Sequence, residues 1–430
     1  MINHLTEKKA LALAGSSFLS TTSYLEKRDA FRSLGYSYNS TKSLAGVSDL
    51  DSLNSKRKQE AEKKQVLLGN TTNKVSTTSK EALPAPAPAI NTFKKYDIQH
   101  YVKDILAGKG FRVSSCMKAI SHQVEVVRTG EAYHFHGVMA CGSIWLCPVC
   151  ASKITETRRQ ELRDALNSGL YPVLVSVTLS HKRGDSLDNL LDMLNSSLRK
   201  LKAGRWWQAF KKRYGISAYV SSLEFTYSKD NGFHPHKHII FFLESGAIDK
   251  QEFRQELVER YTALISRAGG YASIFHAVDM QFGAGYAGNY ISKWGVVEEL
   301  TKSNLKKAKE GSYSVWELAE LGSKEAWARE AFKEYAYATQ GKKAITFSHG
   351  ARAVLGLEAE KSDAEIAQKE AKESEVLAVI PRDVWKVVLL LNLQASILII
   401  ASFGKKDLLL QYLKEIEAKR WLLHEAHNSS

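Results

Sequence analysis

Cysteine is scarce in this chain and confined to one segment. Only four cysteines occur among 430 residues, and all of them lie between Cys116 and Cys150. Disulfides that stabilise a secreted domain would be spread more widely, so this distribution excludes a disulfide scaffold and predicts a reducing compartment, most simply a cytoplasm. A secretory signal is not visible either, because the apolar stretch "ALALAG" after Lys8 and Lys9 is too short and has no clear cleavage site.

Long apolar runs are missing as well. The most apolar segment, "VVLLLNLQASILIIASF" (387–403), is interrupted by polar residues and is shorter than the ~20 residues that a membrane-spanning helix needs. We expect this segment to form one buried or self-associating helix that begins after Asp383 and ends at Gly404. An anionic membrane is therefore not an expected partner of the chain.

Acidic residues are too few to balance the basic ones. The 60 Lys and Arg residues exceed the 46 Asp and Glu residues, which gives a net charge of +14 and a pI near 9.3. Basic proteins of this size usually bind a polyanion, and nucleic acid is the first candidate.

Basic residues are concentrated in "RKLKAGRWWQAFKKRYG" (199–215), where aromatic residues lie between them. Such a segment can contact DNA phosphates through its cations and can stack an aromatic ring on a base. Trp206 and Phe210 are four residues apart, and this spacing favours a core-facing stripe with the cations on the solvated, DNA-facing side. The candidate DNA-binding residues are Arg199, Lys200, Lys202, Arg205, Lys211, Lys212 and Arg213.

Four segments differ in composition. Residues 1–92 are rich in Ser, Thr, Asn and Lys and contain the Pro-Ala tract "ALPAPAPAI" (82–90), so we expect a mostly disordered or loosely helical region with an extended spacer. Residues 93–169 hold the cysteines and a charged helix, and residues 170–302 alternate between strand and helix patterns. Residues 303–430 are mostly helical in pattern, and no internal repeat is visible.

Strand and helix patterns alternate between residues 152 and 302. Apolar or alternating stretches predict strands at 171–180, 216–228, 231–243 and 271–282. Helical patterns cover 152–169, 186–215, 249–270 and 285–302.

The four cysteines have the spacing of a metal site. Three of them form "CGSIWLCPVC" (141–150), whose Cys-Pro-x-Cys turn can present two thiolates to one tetrahedral ion. Four thiolates leave no open coordination position, so the predicted Zn²⁺ is structural. His134 or His136 could replace Cys116 as the fourth ligand, and four free buried thiols are the alternative to a metal site. The expected zinc ligands are Cys116, Cys141, Cys147 and Cys150.

Three histidines occupy every second position of "NGFHPHKHIIFFL" (231–243). Side chains alternate between the two faces of a strand, so His234, His236 and His238 point the same way. Imidazoles are common ligands of divalent metals, and the pattern predicts a metal site. A polar strand edge that carries three histidines by chance is the alternative.

A carboxylate completes the candidate metal site if the preceding strand forms a hairpin with this one. The stretch "KDNGF" (229–233) has the composition of a three-residue hairpin loop in which the glycine takes a positive φ. Pairing of Lys229 with Phe233 would place Glu224 opposite His238, whereas a slip by one residue would turn Glu224 away. Two imidazoles and one carboxylate form a three-point site for a divalent metal, with coordination positions left for substrate.

The histidine strand and a second motif resemble the paired signature of HUH endonucleases. "GFHPHKHIIFFL" (232–243) is followed by "GYAGNYISKW" (285–294), and "VLVSVTLS" (173–180) is similar to the first strand motif of these enzymes. Within the superfamily the chain resembles the rolling-circle replication initiators, the Rep proteins of small plasmids, from Cys116 to at least Glu365. The segment "FKEYAYATQGKKAITFSHGARAVLGL" (332–357) resembles one bacterial plasmid branch of these proteins.

The resemblance implies a fold, an activity and partners. The fold would be α+β, with a central antiparallel sheet flanked by helices, the zinc-binding module before the sheet and a helical C-terminal region after it. The activity would be metal-dependent nicking of plasmid origin DNA in a bacterial cytoplasm, with a 5′-phosphotyrosine intermediate and a free 3′-hydroxyl that serves as a primer. Because the chain has no "GxxxxGK[ST]" motif, we expect the helicase to be a host protein that works with other host replication proteins. A homodimer is a further expectation.

The resemblance also assigns roles to individual residues. His236, His238 and Glu224 would bind Mg²⁺ or Mn²⁺, and His234 is a further candidate ligand. Tyr290 would be the nucleophile. Packing of Tyr290 in a core is the alternative that the helical pattern alone leaves open.

Lys293 follows Tyr290 by three residues, on the same side of a helix. Its charge could stabilise the phenolate or bind a phosphate, and a solvated lysine is the alternative. Lys237 stands where the family usually has a hydrophobic residue, but it points to the opposite face of the strand from the histidines.

Tyr286 stands four residues before Tyr290, where the plasmid branch often has an acid. Two tyrosines at this spacing share one face of a helix, so Tyr286 could serve as a second nucleophile that ends replication. A packing role for Tyr286, with another acid or a second subunit acting in termination, is the alternative.

Two other functions remain open at this point. A transposase or conjugative relaxase of the same superfamily would use the same chemistry, although the segment 332–357 favours the replication branch. A zinc-containing DNA-binding regulator without catalysis is a candidate of a different class.

Overall fold

The structure is a computed structural model that describes residues 87–293, 311–370 and 373–421. Most of the region predicted to be disordered, residues 1–92, therefore lies outside the described residues. Its last part differs from the prediction, because a helix, α1 (Ala87–Ile105), begins inside the Pro-Ala tract that was expected to be extended. Proline is tolerated in the first turn of a helix, where its missing N–H has no partner to lose. Phe93, Ile98 and Val102 of α1 are buried in the core.

A small sheet and a long helix follow α1. The strands are β1 (Gln123–Thr129) and β2 (Ala132–His136), and the helix is α2 (Pro148–Leu166). The N-cap of α2 is Cys147, and Pro148 occupies the first turn, where its fixed φ favours helix. The cysteine turn therefore begins the charged helix that the sequence predicted.

The central part of the chain alternates strands and helices, as predicted. Its elements are β3 (Tyr171–Thr178), α3 (Leu187–Leu201), α4 (Gly204–Tyr214), β4 (Ile216–Ser228), β5 (Gly232–Leu243), α5 (Lys250–Arg267), β6 (Val278–Phe282) and α6 (Ala284–Lys293). β6 is shorter than the predicted strand, because residues 271–277 form a loop.

The described residues after 310 are mostly helical, as predicted, but they also contain three short strands. The elements are β7 (Ser312–Tyr313), α7 (Val315–Leu321), α8 (Ala326–Ala338), β8 (Ile345–Phe347), α9 (Ala351–Val354), α10 (Asp363–Gln368), β9 (Glu375–Pro381), α11 (Arg382–Leu390), α12 (Gln394–Ser402) and α13 (Lys406–Glu417).

Two antiparallel sheets organise these elements. The central sheet has the strand order β6-β3-β5-β4-β7, and β8 also pairs with β4. The second sheet has the order β2-β1-β9. Strands from the C-terminal region therefore complete both sheets. The chain has the predicted α+β fold with an antiparallel sheet flanked by helices, whereas the domain boundaries at 92, 169 and 302 stay a prediction.

Helices α4 and α5 cover the face of the central sheet that lies away from the histidines. Phe241 of β5 points to this face, and its ring lies 6.0 Å from Trp207 of α4 and 6.3 Å from Phe253 of α5. Lys237 is on the same face as Phe241, because the two residues are four apart in one strand. The prediction that Lys237 points away from the paired histidines is thus confirmed.

The apolar segment 387–403 forms two helices, so the prediction of a single helix is wrong. α11 and α12 are bent by 107° at the break between them. Asn392 in the break has a φ of +52°, a left-handed conformation that asparagine tolerates better than most residues, and its side chain donates to Asp97 at 2.6 Å. Within the described residues no single helix is long and apolar enough to cross a membrane. α11 and α12 reach the length and composition of a membrane span only when the bent pair is taken together. α12 is buried from Gln394 to Ala401.

Candidate functional site

β4 and β5 form the predicted hairpin, but in a different register. Glu224 lies opposite His236 and not, as predicted, opposite His238. The register differs by two residues, and this keeps Glu224 on the predicted face because side chains alternate with a period of two. Glu224 therefore still reaches both imidazoles.

The difference in register begins at the turn of the hairpin. The prediction placed Gly232 inside the loop, whereas Gly232 pairs with Ser228 and begins β5. The N–H of Asn231 donates to Ser228 Oγ at 3.0 Å and closes the turn there. Gly232 nevertheless has the positive φ that was predicted, +76°. The observed register is thus accompanied by a side-chain hydrogen bond, which the amino-acid composition of the turn does not predict.

Glu224, His236 and His238 form a compact group, which we call the histidine–glutamate group. Glu224 Oε2 lies 3.3 Å from Nε2 of His236 and 3.3 Å from Nε2 of His238. One ligand atom from each residue lies within 4.8 Å of the other two. All three side chains are partly exposed, so the group is open to solvent. Such an arrangement suits a metal that keeps coordination positions for water or substrate.

The charge of Glu224 fits this donor set. Burial raises the pKa of the Glu224 carboxyl, but hydrogen bonds and charge attraction from His236 and His238 outweigh burial and hold the pKa well below its usual range. Glu224 is therefore ionised at neutral pH and can offset part of the charge of a cation. Two imidazoles and one carboxylate fit a divalent metal ion.

His234 lies beside the histidine–glutamate group and contacts other residues. Its Nδ1 is 3.5 Å from His181 Nδ1, and its Nε2 is 3.4 Å from Thr178 Oγ1. Burial, together with the proximity of His236 and His181, lowers the pKa of His234 to about 4. His234 is therefore neutral at pH 7.

Ser176 contacts the histidine–glutamate group and was missed by the sequence analysis. Its Oγ lies 2.7 Å from His238 Nδ1, the ring nitrogen that faces away from Glu224. Ser176 is opposite His238 in the pairing of β3 with β5. A hydrogen bond to the second ring nitrogen fixes the tautomer and orientation of a ligating histidine. The only sequence signal was the alternation in "VLVSVTLS", where Ser176 and Thr178 are polar members of one face.

α6 carries the candidate nucleophile and packs against β3 and β6. Ala287 is fully buried, whereas Tyr286 is 55% exposed. The backbones of Tyr290 and Lys293 lie in α6, but their side chains lie outside the described part of the structure. Catalytic roles for Tyr286, Tyr290 and Lys293 therefore stay predictions.

The four cysteine thiols converge on one point. Cys116 Sγ lies 3.6 Å from the Sγ atoms of Cys147 and Cys150, and Cys141 Sγ lies 3.7 Å from Cys150 Sγ. Four sulfurs placed ~2.3 Å from one Zn²⁺ in a tetrahedron would be about 3.8 Å apart. All four residues are buried, and their Sγ atoms lie within 4.8 Å of one another. The donor set thus fits a structural zinc ion with Cys116 as the fourth ligand.

Polar groups around the thiols support this assignment. Gln99 of α1, which the sequence analysis missed, donates from Nε2 to Cys147 Sγ at 3.1 Å. Burial raises the pKa of the Cys147 thiol, so a bound cation would be needed to keep it as a thiolate.

His134 and His136, the alternative fourth ligands, contact each other through Nε2 atoms 3.2 Å apart.

The predicted DNA-binding cations lie at the end of α3 and along α4. Phe210 is buried and stacks on Trp206 with ring centroids 4.8 Å apart, which confirms the core-facing stripe. Arg213 is paired with Glu252 and Glu256, and Lys202 Nζ lies 4.6 Å above the Tyr219 ring. The exposed cations are Arg199, Lys200, Arg205, Lys212 and Arg213, whereas Lys202 and Lys211 are partly buried. Their DNA-binding role stays a prediction.

A family model and two known proteins are similar to this chain. A family model described as "Replication protein" matches residues 132–386. "Protein rep" of Streptomyces lividans is 26% identical over 304 residues, which cover 53% of this chain and 66% of that protein. "Neomycin resistance protein" of Streptomyces cyanogenus is 27% identical over 154 residues, which cover 29% of this chain and 35% of that protein. The chain thus spans less than two thirds of the length of each relative.

No solved structure matches the chain significantly. The family match, in contrast, covers more than half of the chain, and its range includes β3, the β4–β5 hairpin and α6. The chain therefore belongs to the replication protein family, as the resemblance of its motifs predicted.

Proposed function

We propose that the chain is a plasmid rolling-circle replication initiator that nicks origin DNA through a tyrosine. One observation carries the proposal: in a chain of the replication protein family, two histidines and a carboxylate lie within 4.8 Å of one another on one sheet face. The net charge of +14 supplies the general attraction to DNA phosphates.

Glu224, His236 and His238 would hold a Mg²⁺ or Mn²⁺ ion, and Ser176 would keep His238 oriented. When bound, the ion would offset charge on the scissile phosphate. The Tyr290 phenol would lose its proton and form a bond to phosphorus, while the bond from phosphorus to the 3′ oxygen breaks and that oxygen takes up a proton. One phosphodiester replaces another, so the strand can later be resealed without ATP.

The remaining parts of the proposal follow from this reaction. The free 3′-hydroxyl primes synthesis, and Lys293 would stabilise the phenolate or bind a phosphate. Tyr286 would accept the strand in the second transfer that ends replication. A host helicase would unwind the duplex, and a homodimer could supply a second tyrosine instead of Tyr286.

The four cysteines would hold a structural Zn²⁺ that does not take part in the reaction. Four thiolates would fill the coordination sphere, so no position remains for DNA or water. The zinc would instead link the loop that carries Cys116 to the start of α2.

Nicking of single-stranded origin DNA in the presence of Mn²⁺ tests the proposal. We expect a covalent adduct on a denaturing gel, with a phosphotyrosine that mass spectrometry maps to Tyr290. Tyr290→Phe and His236→Ala should lose the adduct but retain DNA binding, because neither residue supplies the general attraction to DNA. Tyr337→Phe and His349→Ala, which change an exposed tyrosine and an exposed histidine elsewhere, should retain the adduct.

Other results would point to other functions. Full nicking by His236→Ala would remove the metal centre from the mechanism, and a normal adduct in Tyr290→Phe would exclude this nucleophile. If the wild-type protein nicks no fragment of the origin, a zinc-containing DNA-binding regulator is the better description. If it nicks but does not support replication of a plasmid with that origin, a transposase or relaxase is favoured.

A further inference from the structure

The loop before β6 exposes three large apolar side chains. Tyr271 is 67% exposed, Ile274 is 58% exposed and Phe275 is 75% exposed. In the part of the chain that the structure describes, no other large hydrophobic side chains are as exposed as these three. Single exposed apolar residues are common on protein surfaces, but a group of three within one short loop indicates a binding surface. We call residues 271–276 the aromatic loop.

The backbone of the aromatic loop is held in a defined turn. The N–H of Ala277 donates to Ser273 O at 2.9 Å, and the N–H of Phe275 donates to Ser273 Oγ at 3.2 Å. Ala272 and Ala277 at the ends of the turn are buried. A pre-ordered turn loses little conformational freedom when its side chains bind a ligand.

The aromatic loop is fixed to the end of β3, next to the strand of the histidines. The N–H of Ser180 donates to Tyr271 O at 2.8 Å, and the N–H of Thr178 donates to Ala277 O at 2.9 Å. Thr178 itself lies opposite His236. Neighbouring strands are about 4.8 Å apart, so the loop backbone lies roughly 10 Å from β5. About three stacked nucleotides, at ~3.4 Å each, span this distance.

Two exposed cations lie at the same end of β3. Lys182 and Arg183 lie four and five residues after Thr178, the last residue of β3, and both are exposed. Their segment approaches the tip of the β4–β5 hairpin, because a Cβ on Gly232 would lie 3.8 Å from Lys182 O. The segments that carry the cations and the aromatic rings thus lie at the same end of β3, the end at which Thr178 pairs with His236. This is the combination with which proteins bind single-stranded nucleic acid.

We propose that the aromatic loop stacks on unpaired bases of single-stranded DNA beside the nick site, while Lys182 and Arg183 contact its phosphates. The inference rests on the proposed function, since it assigns the loop to the same DNA strand. The bases must be unpaired, because the faces of paired bases are already covered by their neighbours in a duplex. The adjacent cations and the net charge of +14 favour DNA over a protein partner as the occupant.

A binding assay without divalent ions separates this inference from nicking. The probe is a fluorescein-labelled oligo(dT) of about 12 nucleotides, a length that one binding domain covers, and the matched probe is an abasic oligomer of equal length. Phe275→Ala should weaken binding of oligo(dT) by about 5- to 100-fold, because each stacked base contributes at that level. Its affinity for the abasic oligomer should equal that of the wild-type protein, because the abasic oligomer offers phosphates but no bases.

Control variants make the result specific. Tyr337→Ala removes a 52% exposed aromatic side chain on α8 and should leave both affinities unchanged. Phe275→Trp retains a ring and should restore binding of oligo(dT). Lys182→Gln combined with Arg183→Gln should weaken both probes and reduce the salt dependence of binding.

Two results would overturn the inference. Unchanged affinity of Phe275→Ala for oligo(dT) would leave a protein partner as the occupant of the loop. Equal losses for oligo(dT) and the abasic oligomer would show that Phe275 does not act through bases. Both results are distinct from failure of the proposed function, because binding is measured without Mn²⁺ and without cleavage. A protein that never nicks DNA could still lose oligo(dT) binding in Phe275→Ala.

Discussion

At the residue scale, the histidine–glutamate group depends on the alternation of side chains along two neighbouring strands. That alternation could be predicted from the sequence, and the error of two residues in the register left Glu224 on the same face. Ser176 could not be predicted in the same way, because it lies 62 residues from His238 in the chain. Its contact depends on the pairing of β3 with β5, which no local pattern specifies.

Lys202 illustrates a residue whose environment differs from the sequence prediction. It was a candidate for DNA contact, but its Nζ lies over the Tyr219 ring, and burial together with the charge of Lys237 lowers its pKa to about 8. At pH 7 the folded protein therefore holds a charged amine in a place that disfavours the charge.

Replacing Lys202 with methionine should stabilise the protein at pH 7. We expect a gain of about 1–2 kcal/mol in the free energy of unfolding, measured by urea denaturation, since one pKa unit corresponds to about 1.4 kcal/mol. Between pH 8 and about 10.5 the unfolded chain binds more protons at Lys202 than the folded chain does, so wild-type stability rises with pH relative to the variant. The advantage of Lys202→Met should therefore disappear near pH 10.5.

The neighbouring Lys200, which is exposed, provides the control for this comparison. Lys200→Met should change stability little at either pH. A gain for Lys202→Met that is equal at pH 7 and pH 10 would show that apolar contacts, and not the lysine charge, explain it.

At the scale of elements, α6 was predicted as a helix, and its position next to β3 and β6 links it to the histidine strand. The sequence could not supply that position, because it depends on the pairing of β6 with β3. Tyr286 and Tyr290 are four residues apart in this helix, about one turn, and thus on one face.

Tyr286→Phe should separate the two strand transfers of replication. The first nick should proceed at nearly the wild-type rate, because Tyr290 is unchanged, whereas release of closed single-stranded circles should stop. The measurement is a replication assay that resolves nicked plasmid from single-stranded circles. Normal release of circles by Tyr286→Phe would show that Tyr286 is only a neighbour of the nucleophile.

The cysteine site joins separate elements, and its loss should affect stability more than chemistry. Cys147 is the N-cap of α2 and accepts a hydrogen bond from Gln99 of α1. Cys147→Ser should release zinc and lower the melting temperature by about 10 °C, as expected for a loss of several kcal/mol. The measurement is metal content by mass spectrometry together with thermal unfolding.

Treatment of the wild-type protein with a chelator should reproduce the effect. Acid should do so as well, because a cysteine thiol must lose its proton to bind zinc. Ser143→Ala, in the same loop, is the control for a local change that leaves the thiols intact. A soluble, zinc-free Cys147→Ser protein with unchanged melting would show that the cysteines do not form a structural metal site.

At the scale of the whole molecule, the C-terminal region completes both sheets. β7 and β8 pair with β4, and β9 pairs with β1, which precedes it by about half of the chain. The sequence predicted a helical C-terminal region but not these strands, since two of them are too short to show an alternating pattern. The break at Asn392 was also missed, because a polar residue within an apolar run does not by itself indicate that a helix ends there.

Cations lie on two sides of the central sheet, and this arrangement predicts how DNA binding responds to salt. Lys182 and Arg183 lie at the edge of the face of the histidine–glutamate group, whereas α4 packs on the opposite face through Trp207. A short single strand reaches only the first set, but a duplex that flanks the nick site can reach both. Each phosphate contact contributes about −0.9 to the slope of log K against log salt for duplex DNA and about −0.7 for single strands.

Lys211→Gln combined with Lys212→Gln on α4 should therefore reduce the slope by about 2 for origin duplex and leave it unchanged for a short oligo(dT). Fluorescence anisotropy at a series of salt concentrations measures both slopes. Lys406→Gln combined with Lys414→Gln on α13 removes the same charge at exposed positions elsewhere, and this control should change neither slope. Equal effects of the two double variants would mean that net charge alone, and not contact through α4, sets duplex affinity. A flat salt response of the wild-type protein would argue against phosphate contacts as the main source of affinity.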